Sequence, residues 1–449
     1  MSEPEQESRI VGGASAEKRR WSLWGGTLVA GAVLTGFAWS NSVRARSASN
    51  DPTPVRVALS ARPLESPRAG LAARAETELS AIEQLGQRLF EDPELSTPPG
   101  RSCSSCHDPR RAFSGNAGSN VTAVARGSRA GVFSSRNVPS ISYAMFRPPF
   151  GFGREADGDH TGRDEAMGGL FWDGRADTFQ GQAEGPLLNP REMNNVDLAS
   201  VVDKVRRASY APLFIGVFGA SALEDDQSAF GGLGDALAAF QSTARFRRFS
   251  SKFDDYLRHR GELSLEEARG FLLFRDPEKG NCIACHAGKP ESREPSDWLF
   301  SNFSFETLGL PRNRELPDNA DPRAFDLGLC QRADLAEKAP PHFDLRSVCG
   351  AFQVPSLRNV ALTAPYGHNG VFTTLREVVS FYATRDTHPE RWYPKIAGKV
   401  QSFDDLPPRD RVNVNHAEVP YDRKLGQAPR LDQAEIDAIV AFLETLTDR

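Results

Sequence analysis

Two five-residue segments, Cys103-Ser-Ser-Cys106-His107 and Cys282-Ile-Ala-Cys285-His286, repeat one arrangement at two places and constrain the rest of the chain. A Cys-x-x-Cys-His spacing suits two thioether bonds to the vinyl groups of one haem, with the adjacent histidine beneath the ring as an iron ligand. A four-ligand zinc site would need more Cys or His at finger-like spacing, and a thioredoxin-type dithiol would need a βαβ setting; the sequence offers neither. Two covalently attached haems c are expected, on Cys103/Cys106 with His107 and on Cys282/Cys285 with His286.

The surroundings of the two motifs are also repeated. Ile82-Glu-Gln-Leu-Gly-Gln-Arg-Leu-Phe-Glu-Asp-Pro precedes the first and Glu266-Glu-Ala-Arg-Gly-Phe-Leu-Leu-Phe-Arg-Asp-Pro the second. Both carry apolar residues at helical spacing that end in Leu-Phe and then Asp-Pro, so a helix stops and a loop delivers the cysteines. A closing helix recurs around Leu237 and around Ile436. With 449 residues and 39% hydrophobic content, the chain can bury two or three cores. The expectation is an all-α fold of two cytochrome c-like haem domains in tandem, over 76–260 and 261–449. A formal charge of −5 argues against a nucleic-acid partner.

Residues 21–43 contain no charge and follow Lys18, Arg19 and Arg20. The stretch is long enough to cross a bilayer, and the basic cluster would stay cytoplasmic. Residues 1–46 therefore read as a leader with a transmembrane anchor or, alternatively, as a cleaved signal peptide, since Ser40 and Ser42 could serve a peptidase. Either way the haem-bearing part is expected in the periplasm, held to the membrane if the segment is uncleaved. Residues 47–75 read as a linker. Cys330 and Cys349 would pair as a disulfide in that compartment, with free or metal-binding thiols as the alternative.

A haem with two strong axial ligands passes electrons, whereas one with an open face can bind peroxide. Met1, Met145, Met167 and Met193 all precede the second motif, so the second haem cannot draw a methionine from its own half. No histidine lies between His107 and His160, so a nearby distal histidine is absent from the first.

Phe171-Trp-Asp-Gly-Arg-Ala-Asp, Gln182, Gly185-Pro-Leu-Leu-Asn-Pro-Arg-Glu192-Met, and Val354-Pro-Ser-Leu-Arg-Asn-Val-Ala-Leu-Thr-Ala-Pro-Tyr-Gly-His368-Asn-Gly together resemble the bacterial dihaem cytochrome c peroxidase and MauG family, from about residue 76 to 446. The resemblance implies a peroxide-reacting haem in the first domain, a six-coordinate haem in the second, and Trp172 between them. It implies Glu192 as acid/base and Gln182 as the orienting donor over the open haem. It places the second haem's sixth ligand at Tyr382, fourteen residues beyond His368, a position that carries methionine in some members and tyrosine in MauG, which points to the MauG-like branch; His368 or His388 would be the substitutes. It also implies a calcium ion held by Asn137, Thr363 and Pro365.

The chain departs from reductively activated members in lacking a distal histidine between Asp108 and Ser135, and it carries an insertion over 147–169 that includes His160. The resulting expectation is a peroxidase that uses hydrogen peroxide on a small redox protein donor or on residues of a protein substrate. The alternative is a non-catalytic, membrane-anchored electron carrier.

Overall fold

The computed structural model describes residues 78–116, 118–121, 123–153 and 164–449. The apolar segment 21–43, the linker 47–75 and His160 lie outside the described residues. Among the described residues no helix is long and apolar enough to cross a membrane.

Eleven α-helices are found among these residues: α1 Ala81–Glu91, α2 Cys103–Cys106, α3 Phe179–Leu188, α4 Leu198–Arg207, α5 Ala211–Phe218, α6 Asp226–Gln241, α7 Lys252–Leu257, α8 Leu265–Arg275, α9 Leu335–Lys338, α10 Leu375–Thr384 and α11 Gln433–Glu444. The repeat seen in the sequence is a repeat of packing. Glu83 accepts the Ser80 amide at 2.7 Å ahead of α1, and Glu267 accepts the Ser264 amide at 2.6 Å ahead of α8. Each carboxylate satisfies a backbone donor that the helix start would otherwise strand. At the far ends, Asp92 accepts the Glu94 amide and Asp276 the Glu278 amide, both at 2.8 Å, across the Asp-Pro turns.

α1 crosses α6 and α8 crosses α11 at a glycine in each case. A Cβ on Gly86 would stand 1.9 Å from the Ala236 carbonyl oxygen, and one on Gly270 would stand 1.9 Å from that of Ala438. Only a residue without a side chain lets the backbones approach so closely. Phe240 and Phe442 then fill the matching positions beside the two crossings. Around each pair lies a separate apolar core. One gathers Leu85, Leu89, Val201, Phe214, Leu233 and Phe246, the other Phe253, Phe274, Trp298, Ile439, Phe442 and Leu446.

The fold is not purely helical. Among the described residues three two-stranded antiparallel sheets occur: β1 Gly151–Gly153 with β2 Glu165–Met167, β3 Phe305–Glu306 with β4 Phe352–Gln353, and β5 Lys395–Ile396 with β6 Lys399–Val400. They fasten long loops where no helix is available. β1 and β2 form the base of the insertion, and Phe150, just before β1, and Ala166, on β2, pack against Leu329, Leu335 and Ala351. Cys330 and Cys349 are disulfide-bonded next to this cluster.

The stretch from Phe352 to His368 acts as a strut between the two cores. Arg358 and Asp254, both with fully buried side chains, pair through two contacts of 2.7 and 2.8 Å. The remaining guanidinium donors go to the carbonyls of Trp298 and Pro295, so the buried charges are compensated. Asn359 and Tyr143 both donate to Asp448, which ties the first half to the end of the chain.

Candidate active site

Both motif histidines are prepared in the same way. His107 Nδ1 lies 2.8 Å from the Phe113 carbonyl, and His286 Nδ1 lies 3.1 and 3.2 Å from the carbonyls of Phe300 and Pro355. A carbonyl only accepts, so each Nδ1 carries the proton and each Nε2 presents a lone pair. Burial lowers both imidazoles, His286 to about 4, which keeps them neutral and able to ligate iron. Burial also pushes the Cys103, Cys106 and Cys282 thiols up to about 12. A redox dithiol or zinc site needs the opposite shift, toward thiolate, so the apolar surroundings favour thioether attachment.

The second motif opens into an apolar cavity. Cys282, Cys285 and His286 line one side, and Tyr382 and Tyr421 also face it, with ring centroids 5.8 Å apart. Among the described residues the Tyr382 hydroxyl has no hydrogen-bond partner, and burial holds the phenol well above its ordinary pKa. Arg147 lines the same cavity with no carboxylate or carbonyl partner among the described residues, and burial alone lowers its guanidinium to about 10. The Nε2 of His368, in a ring stacked 3.5 Å from Phe352, is buried without a hydrogen bond and lies 3.8 Å from Asp405 Oδ2. An unpaired cation facing apolar space is costly unless an anion arrives. The residues therefore fit a haem: thioether sulfurs, a neutral histidine, an oxygen donor, and a countercharge for a propionate.

Trp172 lies on the wall of this cavity. Its indole donates to the Asn137 carbonyl at 2.8 Å, and its own carbonyl accepts the Gln353 amide at 2.8 Å. Phe171 before it adopts a left-handed φ of 67°, a strained setting for a bulky residue that turns the backbone into the site. Arg175 stacks 3.6 Å over the Phe171 ring.

Glu192 belongs to the first motif's surroundings. Gln182 sits on α3 with no side-chain hydrogen bond among the described residues. Glu192 follows α3 on a turn closed by Asn189, whose side chain donates to the carboxylate at 2.6 Å, so it is not a helix-start residue. Burial raises the carboxyl, while Arg175 and the Asn189 bond pull it partly back. The charge of Glu192 is felt at both Cys103 and Cys106, which places it beside the first attachment site.

The calcium donors implied by the resemblance, Asn137, Thr363 and Pro365, are brought together only in part. The Asn137 side chain meets the carbonyls of Pro365 at 2.6 Å and Gly367 at 3.1 Å, but through its amide nitrogen. Thr363 is instead engaged through its own hydroxyl with the Val360 carbonyl. Oxygen donors suit calcium, yet the amide would have to turn to offer one, and nothing below depends on the ion. Arg147 was not singled out as a site residue from the sequence. A lone arginine opening a glycine-rich insertion carries no periodic or motif signal.

A family profile described as di-haem cytochrome c peroxidase matches residues 80–262. The methylamine utilization protein MauG of Paracoccus denitrificans is 37% identical over 394 residues, covering 85% of this chain and 92% of that protein. The crystal structure of the diheme peroxidase BthA from Burkholderia thailandensis superposes with a TM-score of 0.76 at 41% identity, covering 83% of this chain and 87% of that one. A tyrosine-to-methionine variant of BthA gives the same TM-score at 42% identity, covering 82% and 86%. With two attachment motifs, two prepared histidines and this degree of likeness, the chain belongs to the dihaem cytochrome c peroxidase and MauG family and is a dihaem peroxidase.

Proposed function

We propose that this peroxidase is exported to the periplasm, that hydrogen peroxide is handled at the first motif, and that the oxidising equivalents are shared with the second and used on a partner. That partner is a small redox protein or a protein substrate. The attached haems supply the redox-active iron that exchanges electrons with peroxide. The chain's own residues do the rest.

Glu192 takes the first peroxide proton and returns it to the departing oxygen, a task that favours a carboxyl whose pKa has been lifted toward neutrality. Gln182, with its amide unclaimed, orients the bound oxidant. Trp172, pinned at both its indole and its carbonyl, bridges the two sites. His286 and Tyr382 hold the second iron; a hard oxygen donor favours the oxidised metal where methionine would favour the reduced one. Among relatives, tyrosine has been exchanged for methionine in a variant of BthA.

Glu192 carries this reading. A carboxyl raised by burial and electrostatically coupled to both attachment cysteines supports the acid/base role. Electron paramagnetic resonance of the ferric protein tests it, with a high-spin signal beside a low-spin one as the expected result. Two low-spin signals and no reaction with peroxide would overturn it and leave an electron carrier.

A further inference from the structure

The helix that carries Tyr382 also carries an aromatic path to the surface. The ring centroids of Tyr382 and Phe381 are 6.1 Å apart, and those of Phe381 and Trp392 are 5.5 Å apart. Trp392 is half-buried, and its indole nitrogen donates to Thr384 Oγ1 at 3.0 Å. Thr384 in turn donates to the Ser380 carbonyl at 2.6 Å, which fixes the ring against α10.

Around Trp392 the surface changes character. Arg391, Lys395 and Lys399 are exposed and have no carboxylate partner among the described residues, while Glu390 is the one acidic residue between positions 388 and 401. Three cations against one carboxylate is a positive patch on a chain whose formal charge is −5. Ile396, on the β5–β6 hairpin, is 61% exposed, and Val400, opposite Lys395 on the same hairpin, packs in the cluster that holds Trp392 and Tyr382. An exposed apolar residue flanked on its hairpin by Lys395 and Lys399, with Arg391 over the ring that ends the aromatic path, suits an acidic protein partner.

We propose that electrons enter the second site through Trp392 from an acidic redox protein docked on the β5–β6 hairpin. This deepens the functional reading above and rests on it. Trp392 gives one electron inward along Phe381 to the Tyr382 side and is refilled by one from the docked protein. The Thr384 hydrogen bond retains the indole proton meanwhile. Two such transfers, with two protons from solvent, reduce one peroxide to two waters, and two partner molecules are oxidised by one electron each.

The test uses the holoenzyme with three reductants: hydroquinone, a reduced blue-copper protein of net negative charge, and a reduced basic cytochrome c. In the parent, KM for the acidic protein rises with salt. Charge reversal by Lys395→Glu with Lys399→Glu, both on exposed positions, raises that KM by about tenfold and improves the basic cytochrome as a donor. Trp392→Phe lowers kcat with the acidic protein by about tenfold relative to kcat with hydroquinone, and Trp392→Tyr recovers part of the loss. Unchanged KM after charge reversal, or an unchanged kcat ratio in Trp392→Phe, overturns the docking and relay. A parent that consumes no peroxide even with hydroquinone overturns the functional reading instead, and this proposal with it.

Discussion

Replacing Gly86 by alanine puts a methyl group 1.9 Å from the Ala236 carbonyl oxygen, where ordinary contact begins at 3.4 Å. The helices must therefore separate by as much as 1.5 Å, the difference between those distances, because a backbone oxygen cannot rotate away. Overpacking of this kind sits at the upper end of its usual range, about 3 kcal/mol. Alanine returns about 1 kcal/mol as the better helix former. The net expectation is a loss of about 2 kcal/mol, or a drop in Tm of roughly 4–8 °C for a domain of this size. Gly270→Ala should behave alike, since its methyl would meet the Ala438 oxygen at the same distance. The two losses should add, because the crossings lie in separate cores. Gly231→Ala, on α6 with nothing within 4 Å of the added carbon, is the control and should be neutral or stabilising. Thermal unfolding followed by circular dichroism gives the stabilities, and intact-protein mass gives the number of haems retained. If Gly86→Ala and Gly270→Ala are as stable as the control, the backbones are not locked at these crossings and the packing account is wrong.

Other expectations concern the chemistry. Glu192→Ala should slow the reaction with peroxide by roughly a hundredfold in stopped-flow absorption, the usual scale for losing a positioned acid/base. Because burial raises the Glu192 carboxyl, the acidic limb of the peroxide reaction should lie above the ordinary carboxylate range, with the rate rising as the proton leaves; Asn189→Ala removes a bond that favours the charged form and should move that limb further up. Tyr382→His should keep both haems attached but shorten the life of the peroxide-oxidised state in time-resolved spectra, and an unaltered lifetime would deny Tyr382 that role. Arg147→Ala should lower the second haem's reduction potential, since a cation beside the site favours the reduced form, while Arg147→Lys should restore most of it; a potentiometric titration that finds no change would mean the guanidinium faces no propionate.

What could be read from the sequence was what is local. A Cys-x-x-Cys-His spacing holds its meaning within five residues, and the helix that precedes each copy is announced by its own apolar period and by the Asp-Pro that ends it. The glycine crossings were invisible for the opposite reason: the need for Gly86 comes from Ala236 on α6, and the need for Gly270 from Ala438 on α11. The expectation of an all-helical fold missed the small sheets because two- and three-residue strands leave no alternating pattern to detect. Arg147 gave no signal either, since its significance lies in the lack of a partner, which only the folded chain reveals. Tyr382, Gln182 and Glu192 were reached through long motifs resembling a family, not from periodicity or charge.

Asn137 is a single small residue with three commitments. Its carbonyl accepts from Trp172, its side chain spans the carbonyls of Pro365 and Gly367, and its amide donates to His368. The Trp172 indole and the 365–368 loop are therefore fastened to one peg. Any redox communication that passes by Trp172 runs through a rigid coupling, with a separation set by hydrogen-bond tolerances and no hinge in between, so its rate should follow driving force and be insensitive to solvent viscosity.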